Sequence, residues 1–99
     1  MFRIAHGEQI KHPIDYDVLD NLFDAISDSV GQAETKYPNW PTNLLIAHNI
    51  VAEELGEAIQ ALNNYAEGKG TLEQCKMEYI QCAAMCVRQL GALMKMEDK

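Results

Sequence analysis

Two short breaks divide most of this chain into three long segments of helical period, and no segment alternates as a strand does. The first break is Lys36-Tyr37-Pro38-Asn39-Trp40-Pro41, where two prolines stop a helix and Asn39 suits a turn. The second is Glu67-Gly68-Lys69-Gly70, where a glycine supplies the left-handed stop. Before the first break, Val18, Leu19, Leu22, Phe23, Ile26, Val30 and Ala33 share one face of a helix over residues 15–36. Thr42 or Asn43 caps a second helix that runs to about residue 66. Thr71 with Gln74 forms a capping box for a third, which runs to about residue 96. The connection at residues 67–70 is too short for anything but antiparallel neighbours. The expected fold is therefore all-α: an antiparallel bundle of three main helices over residues 14–99, preceded by an N-terminal arm over residues 1–13 that Pro13 closes. Apolar arcs this wide leave surface uncovered in a 99-residue chain, so the bundle is expected to be completed by oligomerisation.

Charge narrows the partners. The net charge is -7, from 15 acidic and 8 basic residues. Phosphate backbones and anionic lipid surfaces need a basic footprint, which excludes nucleic acid polymers and membranes as main partners. No apolar run is long enough to span a bilayer, and residues 1–12 lack the apolar core of a signal peptide. Cys75, Cys82 and Cys86 are odd in number and lie on one predicted helix, which fits a reducing cytoplasm rather than a disulfide framework. They read as small core fillers, since no histidine lies near them to complete a zinc site. Asp17, Asp20, Asp24 and Asp28 read as a solvated helix face.

A different acidic group is not placed like a solvated face. With Glu53 taken as 0° on the second helix, Glu57 falls at about 40° and Glu54 at about 100°. Ile50, Ala61, Ala47 and Ala58 fall at about 60°, 80°, 120° and 140° on the same wheel. Glu54 therefore lies inside the apolar arc and Glu57 on its border. A carboxylate pointed into a core costs several kcal/mol unless a proton, a partner or a metal neutralises it. No basic residue stands three or four positions from Glu54. On the third helix, Glu78 borders an apolar face of Cys75, Tyr79, Cys82, Cys86, Leu90 and Leu93, and Gln81 follows one turn on. Glu54 and Glu57 precede Gly68 by 14 and 11 residues, and Glu78 and Gln81 follow it by 10 and 13. In antiparallel helices these distances bring the two pairs opposite each other. Oxygen ligands without histidine or thiolate favour Mg²⁺, Mn²⁺ or Ca²⁺ over zinc. The alternative is a surface cluster paired to lysines of another chain.

At these residues the chain resembles the MazG-like all-α nucleoside triphosphate pyrophosphohydrolases, whose pattern is Glu-Glu-x-x-Glu on one helix and Glu-x-x-Asp on the next. Glu53-Glu54-Leu55-Gly56-Glu57 matches the first part, and Glu78-Tyr79-Ile80-Gln81 matches the second with Gln81 in place of the aspartate. The resemblance extends over roughly residues 33–93 and is to small single-domain members. It implies Mg²⁺-dependent cleavage of an NTP or dNTP between the α- and β-phosphates, with Mn²⁺ as a substitute metal. It implies metal-ligand roles for Glu54, Glu57 and Glu78, with Gln81 at the fourth ligand position, and a role for Glu53 in orienting or deprotonating the attacking water. It also implies a homodimer or homotetramer. The alternative function is a catalytically degenerate helical oligomer that binds nucleotides or proteins.

Three further residues are candidates for substrate contact. Lys36 can contact phosphate. Trp40 can stack on a base or anchor the break between helices. Arg88 lies on the Gln81 face two turns along, where it can neutralise a phosphate or form a surface or intersubunit salt bridge. His48 lies away from the carboxylates, and Met77, Met85, Met94 and Met96 read as packing.

Overall fold

The structure is a computed structural model and describes residues 7–97. It contains three α-helices and, among the described residues, no strand: α1 (Tyr16–Lys36), α2 (Leu44–Ala66) and α3 (Leu72–Glu97). Residues 7–15 lie outside the helices and are exposed. The rest of the N-terminal arm, with much of the stretch read for a signal peptide, lies outside the described residues, as do residues 98–99. No described helix is long and apolar enough to cross a membrane.

Local chemistry sets the helix ends. Asp15 caps α1 by accepting a hydrogen bond from the Val18 amide at 2.8 Å. Of the two candidate caps for α2, Asn43 does the work, accepting from the Leu45 and Ile46 amides. The predicted capping box is present in both directions: the Thr71 amide donates to Gln74 at 3.0 Å, and the Gln74 amide donates to Thr71 Oγ1 at 3.1 Å. Gly68 takes φ +75°, the left-handed value that terminates α2, while the Lys69 amide donates back to Asn64.

The third helix is the centre of the molecule. It packs against both α1 and α2, which do not pack against each other. The tight turn presses Gly70 against Asn64 and Tyr65, and further along the Cys75 thiol donates to the Ala61 carbonyl at 3.3 Å. Because α3 serves two neighbours, the arc it buries is not the one its apolar period picks out. Cys75, Cys82, Ala84, Met85 and Arg88 are buried, whereas Tyr79, Cys86, Leu90 and Leu93 of the expected face are exposed. Phe23 departs in the same way, being 61% exposed although it shares the α1 stripe. The core of the chain is thin. It consists of Ala47, Ala58, Cys75, Cys82, Ala84 and Met85, and no large side chain is fully buried.

Candidate metal centre and adjoining cleft

The α2 arc that carries Ala47 and Ala58 inward also carries Glu54, and α3 brings Glu78 to meet it. One carboxylate oxygen from each of Glu54, Glu57 and Glu78 lies within 4.8 Å of the others. A hexacoordinate Mg²⁺ with bonds of about 2.1 Å sets its ligand oxygens about 3–4 Å apart, so small side-chain rotations bring this trio to coordinating distance. Glu57 stands between the other two, within hydrogen-bond reach of both when a proton is shared.

The electrostatics of the trio are unrelieved. Among the described residues the ion pairs are Lys69–Glu67, Lys76–Glu73 and Arg88–Glu34, and none reaches the three carboxylates. Glu54 Oε2 and Glu78 Oε2 are buried without a hydrogen-bond partner. Burial raises the Glu54 carboxyl above its ordinary value, and the charges of Glu57, Glu78 and Glu53 raise it further. Burial and then the charge of Glu57 raise Glu78. An all-oxygen donor set with two oxygens left without a hydrogen-bond partner has the chemistry that a hard divalent ion takes.

Glu54 also lines the end of a cleft of about 570 Å³ between α1, the α1–α2 connection, α2 and α3. Gln81, Lys36, Trp40 and Arg88 line the same cleft. The structure therefore brings together most of the residues singled out in the sequence. Glu53 is exposed on α2, close enough for its charge to act on Glu54. The Lys36 ammonium lies 5.4 Å from the centre of the Tyr37 ring.

Trp40 anchors the break: its indole Nε1 donates to Gln89 at 2.9 Å. Of the two readings of Arg88, the structure shows a salt bridge, to Glu34 of the same chain at 3.1 Å, with Arg88 only 7% exposed. The burial follows from α3 turning its Arg88 side toward α1 and the connection. Sequence reasoning missed Glu34 and Gln89 as functional neighbours. No signal pointed to them, because both contacts join residues about fifty positions apart.

No protein-family profile, curated protein or solved structure matches this chain.

Proposed function

We propose that this chain is a divalent-metal-dependent nucleoside triphosphate pyrophosphohydrolase, of the MazG-like kind its carboxylate motif resembles, working as a cytoplasmic homo-oligomer. The observation that supports this reading is the convergence of Glu54, Glu57 and Glu78 without a counter-charge, with two of their oxygens buried and unpaired, one of the three, Glu54, also lining a cleft of about 570 Å³. Glu54, Glu57 and Glu78 hold Mg²⁺ or Mn²⁺, and the Gln81 carbonyl oxygen serves as a fourth, neutral ligand. A bound cation supplies the positive charge that phosphoryl oxygens need as the anhydride breaks. Glu53 accepts the proton of the attacking water. Lys36 meets phosphate, and Trp40 offers its indole to the base. An acidic protein of net charge -7 meets a polyanionic substrate through the metal.

In this account α2 and α3 run antiparallel. The supporting pairs are Gly70 against Asn64, Cys75 against Ala61 and Glu78 against Glu54, which step away from the turn together. The oligomer rests on surface area. The protomer exposes 8373 Å², whereas a folded monomer of 11.1 kDa exposes about 5,700 Å² by the usual size scaling. The exposed residues 7–15 account for part of the excess. Leu55 and Ile59 follow Glu53 and Glu57 by two residues, about 200° around the helix, so they face away from the carboxylates. With Leu62, Tyr79, Val87 and Leu90 they are 41–59% exposed and form the contact between copies.

The test is pyrophosphate release from a panel of NTPs and dNTPs with Mg²⁺ or Mn²⁺. Metal-dependent release of pyrophosphate with a monophosphate supports the reading, and absence of turnover across the panel contradicts it. Gln81 favours a second reading, a helical oligomer that keeps the cleft and has lost catalysis. Gln81→Asp separates the two. In a working enzyme it tightens metal binding and speeds turnover, whereas in a binding module it adds repulsion, lowers stability and yields no pyrophosphate.

A further inference from the structure

The connection between α1 and α2 forms a wall of the cleft, and it does little to hold itself. Tyr37, Asn39, Trp40 and Pro41 all line the cleft. Among the described residues, no backbone hydrogen bond outside the helices involves residues 38–42. One point on α3 supplies what the backbone lacks. Arg88 Nη2 donates to the Tyr37 carbonyl and, at 3.5 Å, to the Asn39 carbonyl. The same nitrogen pairs with Glu34 on α1 at 3.1 Å. The guanidinium carbon lies 4.8 Å from the centre of the Trp40 ring, and the next residue, Gln89, holds the indole N–H. Two adjacent residues of α3 thus fix the end of α1, two carbonyls of the connection, and both the ring and the N–H of Trp40.

We propose that Arg88 is a positioning residue for the substrate cleft, acting through Trp40. Its Nη2 is committed to Glu34 and to two carbonyls, and its Nε is buried without a partner. What it provides is shape. A planar fork lays its face on the indole while donating in its own plane, which a tetrahedral lysine ammonium does not reproduce. A base entering the cleft then meets an indole already in place, and the cost of ordering the wall is removed from binding. This inference rests on the proposed nucleotide reading for its ligand, but not for the state of the wall.

The chain has one tryptophan, so Trp40 fluorescence reports the wall directly. Arg88→Lys keeps the charge and loses the fork. The expected result is a red-shifted Trp40 emission, greater quenching by acrylamide, and a KM for triphosphate raised about tenfold with kcat held within about twofold, the signature of lost uniform binding. The rise in melting temperature with Mn²⁺ should persist, since the carboxylates are untouched. Glu34→Gln should move the same readouts in the same direction by less. Should Arg88→Lys fail to fold, Gln89→Met, which frees only the indole N–H, carries the same expectation for emission and KM. Unchanged emission with unchanged KM would overturn the proposal. So would a fall in kcat at constant KM, which marks direct contact with the reacting phosphates. If the wild type turns over no triphosphate, the nucleotide reading fails, and the emission and quenching data still decide whether Arg88 holds the wall.

Discussion

Two sets of charge lie in this small protein, on different terms. Arg88 is buried with partners for its Nη2 and its ring face, a carboxylate from α1, two carbonyls from the connection and an indole, while its Nε is buried with none. Glu54, Glu57 and Glu78 are gathered from α2 and α3 with nothing opposite them. The first arrangement pairs opposite charges within the chain, although Arg88 Nε stays without a partner. The second is self-repelling, and its two orphaned oxygens have no donor in the fold. A charge satisfied by its own chain holds structure, whereas a cluster of like charge held together by packing stores a demand for something from outside.

The largest effect that sharpens this contrast is on turnover. Glu54→Gln keeps the shape of the side chain and removes its charge. Hydrolysis should fall about 10²–10³-fold, because the cation that supplies several kcal/mol of charge stabilisation is held less well. Steady-state pyrophosphate release measures it, and a loss under about threefold would remove Glu54 from the ligand set. In metal-free protein the same change should raise the melting temperature, since it relieves the repulsion.

Arg88→Met should behave in the opposite way. Removing this buried charge leaves carbonyls and Glu34 without their partner. The expected cost is about 2–3 kcal/mol, less than the 3–5 of a fully buried pair because the Glu34 side chain is 52% exposed. Urea unfolding checks this. A variant as stable as wild type would erase the distinction between the two sets.

A smaller effect appears in the pH dependence of stability. Glu54 and Glu78 are raised above their ordinary value of 4.5 in the folded chain, chiefly by burial. The fold therefore binds protons more tightly than the unfolded chain does. In metal-free protein this contribution is fully present below pH 4.5 and is lost as pH rises through the raised values. A saturating divalent cation holds both groups ionised, so it should remove that loss and release protons on binding. Melting curves with chelator and with Mn²⁺ should converge toward low pH and separate above it. Parallel curves would contradict the linkage.

Local signals carried much of this structure in the sequence. The Thr71–Gln74 box and Gly68 fix the helix ends through contacts within a turn or two, which is why the pattern shows them. The Glu54–Glu78 approach was legible because a four-residue connection leaves little freedom in the pairing of α2 with α3. The packing of α1 was not constrained in this way. Its approach to α3 follows a longer connection and is decided by Arg88, Glu34 and Trp40, whose contacts span about fifty residues. The inward arc of α3 was misjudged for the same reason. A helix with two neighbours buries Ala84 and Arg88 on one side and Cys75 and Cys82 on another, and leaves Tyr79, Cys86 and Leu90 of the apolar period exposed.

The central claim is that the three carboxylates form a divalent-cation site, and the most direct measurement is melting temperature against Mg²⁺ or Mn²⁺ concentration at neutral pH. A ligand that binds only the folded state stabilises it by RT ln(1 + [L]/Kd), which is about 2.7 kcal/mol at a hundredfold excess over Kd. The wild type should show a saturable rise, Arg88→Lys should keep it, and Glu54→Gln and Glu57→Gln should each lose most of it. An equal response in the wild type and both glutamine variants, or no response at all in the wild type, would show that these carboxylates do not bind a metal.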